Sequence, residues 1–171
     1  MEWAGLLEQV QEGDGAAWRE LVLRFHPTLL RYLHSRGIRS PEDVAADVWL
    51  RVHRGLGGLS GCEDEDDFRG WLITIAHHRV VDLRRRGHRR PEEVLGELPE
   101  SLAAEDPANA VIVRRAVLDA IDALDVPQNE VTRLRLLGGL SHAEIAILLN
   151  MTPAAVRKAY SRALVQLREG L

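Results

Sequence analysis

The stretch Leu140-Ser141-His142-Ala143-Glu144-Ile145-Ala146-Ile147-Leu148-Leu149-Asn150-Met151-Thr152-Pro153-Ala154-Ala155-Val156-Arg157-Lys158 decides how this 171-residue chain reads. Ser141 and Glu144 have the S-x-x-E spacing of a capping box, which starts a helix by pairing orphan backbone donors. Ile145, Ala146, Leu148 and Leu149 give that helix an inner face. Asn150 suits a left-handed turn that a β-branched residue would resist. Thr152 then reads as an N-cap, with Pro153 at the first helical position. Val156, Tyr160, Ala163, Leu164 and Leu167 fall inward at helical spacing, so Ala154, Arg157, Lys158, Ser161 and Arg162 face out. Two short helices joined by a tight turn, the second small-sided at its start and basic one turn later, read as a helix-turn-helix. Small residues let a helix sit deep in the major groove, where Arg grips guanine with two hydrogen bonds. A plain helical hairpin with a solvated basic face is the alternative. The two caps, the turn and the basic strip together favour DNA, with Thr152, Pro153, Ala154, Arg157, Lys158, Ser161 and Arg162 as contacts.

Helical signals continue upstream, and strand alternation is absent, so the chain reads as all-α. Trp3, Leu6, Leu7 and Val10 repeat at helical spacing, and Gly13-Asp14-Gly15 breaks that helix with Asp14 placed to cap the next. Ala17, Trp18, Leu21, Val22, Phe25 and Leu29 form a second stripe, with Pro27 expected to kink it. Ser40-Pro41-Glu42-Asp43 predicts a helix to about Arg54, with Ser40 as its cap. Gly55, Gly57, Gly58 and Gly61 then predict a flexible loop, and a helix is expected from near Phe68 to Arg84-Arg85-Arg86; the acids Glu63 to Asp67 read either as its cap or as a brake on DNA affinity. Residues 88–110 carry Pro91, Pro99 and Pro107 among many acids and read as a linker, of which about residues 91–107 are expected to be mobile in the free protein. Further helices are expected from Val111 to Leu124 and near Asn129–Leu137, before a break at Gly138-Gly139. The organisation is two small helical domains, 1–87 and 111–171, joined by the acidic linker 88–110.

The net charge of −4 divides unevenly. Residues 68–90 hold seven arginines against one Asp, and residues 131–171 hold six basic side chains against two acidic ones. Residues 1–67 and 91–130 are acidic. Local charge at a contact face governs nucleic-acid binding, so two basic blocks are compatible with it. No run of about 18 apolar residues occurs, which excludes a membrane-inserted helix. The N-terminus lacks a secretion signal and Cys62 is the single cysteine, so a cytoplasmic location is expected. The seven histidines read as surface residues. No H-E-x-x-H or C-x-x-C spacing appears, and adjacent His77 and His78 would point about 100° apart on a helix. Neither a metal site nor an enzyme is expected. A stand-alone regulator would need a ligand or phospho-acceptor domain, for which no parallel-sheet pattern is present.

Leu140 to Ala146, followed by Met151 to Arg157, resembles the second DNA-binding domain of the sigma-70 family, most similar to its extracytoplasmic-function (ECF) group. That pattern reads G-L-S-x-x-E-I-A, a short turn, then V-K-S-R-x-x-R-A. Here Arg157, Lys158 and Ala159 stand for Lys, Ser and Arg, while Arg162 and Ala163 are kept. Pro41-Glu42-Asp43-Val44-Ala45-Ala46-Asp47-Val48-Trp49-Leu50-Arg51-Val52 resembles the family helix E-D-L-V-Q-E-V-F-L-R-V, with Ala46 for Gln. Phe68-Arg69-Gly70-Trp71-Leu72-Ile73-Thr74-Ile75-Ala76 and Asp82-Leu83-Arg84-Arg85-Arg86 resemble F-R-A-W-L-x-x-I-A followed by N-x-x-x-D-x-x-R-R, with His78 for Asn. The resemblance spans roughly residues 15–87 and 112–169.

This resemblance implies an alternative sigma factor that binds core RNA polymerase at its clamp and flap regions and recognises −35 and −10 promoter elements. It implies polymerase contacts at Asp43, Asp47, Trp49 and Arg51, with a core role for Trp49 as the alternative. It implies −10 contacts at His78, Arg79, Asp82, Arg84, Arg85 and Arg86, helped by the Gly-rich loop. It also implies an anti-sigma partner, no catalytic group, no cofactor and no metal. Trp71 reads as core rather than a stacking platform. Nothing before Leu171 reads as an added regulatory domain, so regulation is expected from outside the chain.

Overall fold

The computed structural model describes residues 2–87 and 107–170, and every regular element among them is helical. The chain divides into two units, Met1–Gly96 and Glu97–Leu171. Most of the acidic stretch read as a linker, and its expected mobility, lie outside the described residues.

The first unit contains α1 (Trp3–Gln11), α2 (Gly15–Ser35), α3 (Pro41–Arg54) and α4 (Glu65–Gly87). Asp14 caps α2 as expected, accepting from the amides of Ala16 and Ala17 at 2.8 and 2.7 Å. Leu21, Phe25, Leu29, Tyr32 and Leu33 line its buried face at helical spacing. α2 continues through Pro27. That position is exposed, beside the exposed Leu23, so a carbonyl without its usual donor can turn to water. Ser40 occupies the cap position of α3, but its side chain makes no capping bond. Its ψ of 75° is far from the 161° with which Ser141 does cap, so the hydroxyl is not presented to the helix.

Phe68 centres the core. It is fully buried, with ring centroids of Phe25, Trp3, Trp71 and Trp49 at 4.8, 5.6, 6.0 and 6.5 Å. Aromatic pairs at such separations add to the burial term. The glycine segment is a short 3-10 helix, Leu56–Gly61, and not a flexible loop. Leu59 anchors it in the core. Gly55 sits in a tight spot ahead of it, where a β-carbon would lie 3.3 Å from the Arg51 carbonyl and 3.4 Å from the Trp71 ring.

The acidic run starts α4 earlier than its apolar pattern indicated. Asp64 accepts from the amides of Asp66 and Asp67, both at 2.9 Å, and Asp67 accepts from the Glu63 amide at 3.0 Å. With Asp64 capping it, the helix begins at Glu65 and carries three carboxylates in its first turn, where the helix dipole favours them. Burial, with Asp67 and Asp64 nearby, pushes the Cys62 thiol up. His34 and His77, read as surface histidines, are buried, and His77 Nδ1 lies 3.1 Å from the Tyr32 hydroxyl.

The second unit contains α5 (Pro107–Asp122), α6 (Gln128–Thr132), a π-helical turn (Arg133–Leu137), α7 (His142–Leu148) and α8 (Pro153–Gly170). α5 begins inside the stretch read as linker, with Pro107 at its first position. Ile121, Leu124, Ala163 and Leu167 pack together, with Val117 and Leu137 against them. Arg133 is buried and engages Asp122 and Asn129, while Asn129 donates to the Ile121 carbonyl at 2.8 Å. These bonds compensate a charge that would be costly to bury alone.

Candidate nucleic-acid interface

The second unit presents α8 through bonds written in its sequence. The Ser141 amide donates to Glu144 Oε2 at 2.6 Å, and the Glu144 amide donates to Ser141 Oγ at 3.2 Å. Asn150 is left-handed, φ 53°, and the Met151 amide then reaches the Ala146 carbonyl at 2.8 Å. Thr152 Oγ1 accepts from the Ala155 amide at 3.1 Å. Val156, Ala159, Ala163 and Leu167 turn inward, leaving Thr152, Pro153, Ala154, Arg157, Lys158, Ser161 and Arg162 exposed. Ala159, where the family pattern has Arg, is buried, so an alanine fits the core there.

His142 belongs to this neighbourhood and was missed in the sequence. Its ring lies 5.5 Å from that of Tyr160 on α8. Burial first, then Arg135 and Arg157, hold its imidazole below the usual histidine range. It is therefore neutral at physiological pH. Its position just after the Ser141 cap, facing α8, is the signal that could have singled it out.

In the first unit, His78, Arg84, Arg85 and Arg86 are exposed on α4, whereas Arg79 and Asp82 are half-buried. Arg84 donates to the Arg36 carbonyl at 3.1 Å. Arg79 is ion-paired with Asp47 of α3 at 2.6 Å, which joins a residue read as a DNA contact to one read as a polymerase contact. Asp43 and Arg51 are exposed and Asp47 is half-buried, at spacings that make one strip along α3.

Trp49 does not join that strip. It is 7% exposed, its indole N–H donates to His26 Nδ1 at 3.1 Å, and its ring meets Trp18 at 5.8 Å. Trp49, for which the sequence left a core role and a polymerase contact both open, lies on the buried face with Val48 and Val52. The neighbouring Leu50, 56% exposed, lies on the outward strip. Trp71 is half-buried and packs on Gly55 and Phe68.

A family model for Sigma-70 region 2 matches residues 21–90, and one for Sigma-70, region 4 matches residues 114–167. The ECF RNA polymerase sigma factor ShbA of Streptomyces griseus is 33% identical, over 95% of this chain and 92% of its own length. The chain belongs to the ECF sigma-70 family. BldN of Streptomyces coelicolor, also an ECF sigma factor, is 32% identical over 92% of this chain, which spans 61% of BldN's length. Among solved structures, that of CnrH in complex with the cytosolic domain of CnrY superposes with a TM-score of 0.64, at 27% identity, covering 96% of this chain and 93% of CnrH. This chain is thus an alternative sigma factor, a non-enzymatic initiation factor that directs promoter-specific transcription. No helix among the described residues is long and apolar enough to cross a membrane.

Proposed function

We propose that this sigma factor reads the −35 element with the outer strip of α8 and holds the −10 element with α4. The single observation behind the first assignment is the exposed strip Ala154, Arg157, Lys158, Ser161 and Arg162, presented by two capped helices and a left-handed Asn150. Pro153 and Ala154 let the first turn approach the groove floor, and Arg157 follows within reach of base edges. Arg157 is the base reader, while Lys158 and Arg162 bind phosphate.

On α4, His78, Arg79, Asp82, Arg84, Arg85 and Arg86 face the −10 strand, and the 3-10 segment Leu56–Gly61 offers a preformed edge to it. Capture of unpaired bases by such a surface offsets the cost of unstacking them. The outward strip of α3, with Asp43, Asp47, Leu50 and Arg51, docks on the polymerase clamp, and the second unit engages the flap. Residues 1–87 thus serve polymerase and −10 binding, residues 111–171 serve −35 binding, and 88–110 connect them. The protein works in the cytoplasm without a cofactor and is held inactive by an anti-sigma factor. The support for that last partner is that CnrH was solved with the cytosolic domain of CnrY.

The test binds the full chain, assembled with core polymerase, to duplexes randomised at the −35 element at several salt concentrations. Arg157→Ala is expected to cost about 1–3 kcal/mol and to relax preference at one or two positions. Lys158→Ala and Arg162→Ala should weaken all sequences alike and lower the salt slope by about 1 each. An unchanged preferred sequence in Arg157→Ala would move base reading to another residue, Lys158 first.

A further inference from the structure

Asp47 stands in two of these sites at once. It lies on the outward strip of α3, and its carboxylate also holds Arg79 of α4. Arg79 Nε is 2.6 Å from Asp47 Oδ2, and Arg51 Nε is 3.3 Å from the same oxygen. Arg79 Nε is buried and makes no hydrogen bond, so the contact is a charge pair, while the Asp47 side chain, 37% exposed, is within reach of solvent and of a partner.

Carboxylates and phosphates compete for the same guanidinium edge. While Asp47 is paired with Arg79, a DNA phosphate meets a cation whose charge is already countered and has a like charge beside it. A cationic side chain docking on α3 competes in turn with Arg79 for Asp47. We propose that the Asp47–Arg79 pair is a latch: a partner cation that engages Asp47 on α3 frees Arg79 on α4 to take a backbone phosphate of single-stranded promoter DNA. This rests on the reading of α3 and α4 given above.

The surroundings favour the released state once an anion arrives. A cleft of about 540 Å³ adjoins Arg79 and is lined also by Arg36, Arg39 and Arg84, with Asp43 among its walls. A phosphate at its mouth meets a cationic field. Thermodynamic linkage makes the latch reciprocal, so DNA held by Arg79 leaves Asp47 freer for a partner. A partly exposed ion pair is weak, so the effect on affinity is about threefold rather than orders of magnitude.

The test uses the full chain without polymerase and a fluorescent single-stranded oligonucleotide pool of random sequence, read by anisotropy at several salt concentrations. Asp47→Asn is expected to tighten binding about threefold and to steepen the salt slope by up to about 1, as one more cation meets phosphate. In the Arg79→Ala background the same change should give little gain. Asp43→Asn, which removes an equal charge one turn earlier, should give less. An unchanged or weaker affinity in Asp47→Asn overturns the latch, and so does an equal gain with or without Arg79 or from Asp43→Asn. If Asp47→Asn does not fold, Asp47→Ser reads the same comparison. A wild-type holoenzyme that fails to bind promoter DNA would overturn the reading of α4 and the latch with it. Intact holoenzyme binding with no gain in Asp47→Asn overturns the latch alone.

Discussion

The hydroxyl of Tyr32 on α2 lies 3.1 Å from Nδ1 of His77 on α4, and both residues are buried. This bond ties the helix at the centre of the first unit to the helix assigned to the −10 element. Tyr32→Phe keeps the ring volume and removes the hydroxyl, so the expected cost is about 1–2 kcal/mol of stability in the first unit. Urea denaturation should show a lower midpoint with an unchanged slope. An unshifted midpoint would mean that the bond adds nothing over ring packing.

Asn150 sits at φ 53° between the two helices of the DNA-reading motif. Asn150→Val forces a β-branched side chain into the left-handed region and should destabilise the second unit by about 1–2 kcal/mol. Asn150→Gly should be close to neutral, because glycine adopts that conformation freely. Thermal melting of both variants checks the contrast. Equal melting temperatures would remove the turn from the account.

His142 carries a pH dependence. Its imidazole titrates below the ordinary histidine value of 6.5, first because of burial and then because of Arg135 and Arg157. As pH falls through 6.5 the unfolded chain takes up the proton before the folded one. The stability tied to the neutral ring is therefore complete above 6.5 and lost as pH falls toward the folded value. Denaturation of the second unit should show stability declining below that pH, and His142→Gln should flatten the decline. A parallel decline in His142→Gln would assign the effect to other groups.

The elements that were legible in the sequence are those whose signals are local. Ser141 with Glu144, Asn150, Thr152 and Asp14 act within a few residues of themselves, and each makes the expected bond or turn. What stayed hidden depends on partners far along the chain. Trp49 finds His26 and Phe68, and His77 finds Tyr32, across distances that no periodicity reports. The glycines before Cys62 read as mobile because the packing of Leu59 and of the Trp71 ring is tertiary. The π-helical turn at Arg133–Leu137 likewise goes with buried Arg133 and its bonds to Asp122 and Asn129. The outer strip of α8 was legible because exposure on a regular helix follows from spacing. The Asp47–Arg79 pair joins two helices and was not.

Run-off transcription reads promoter-specific initiation by this sigma factor. Purified core polymerase is mixed with the full chain and a library of genomic fragments, with a known sigma factor in parallel. Discrete start-site-specific transcripts are expected from a subset of fragments, absent with core alone, and lost selectively at the −35 element in Arg157→Ala. No specific transcript from any fragment, while the known sigma factor works beside it, would contradict that expectation.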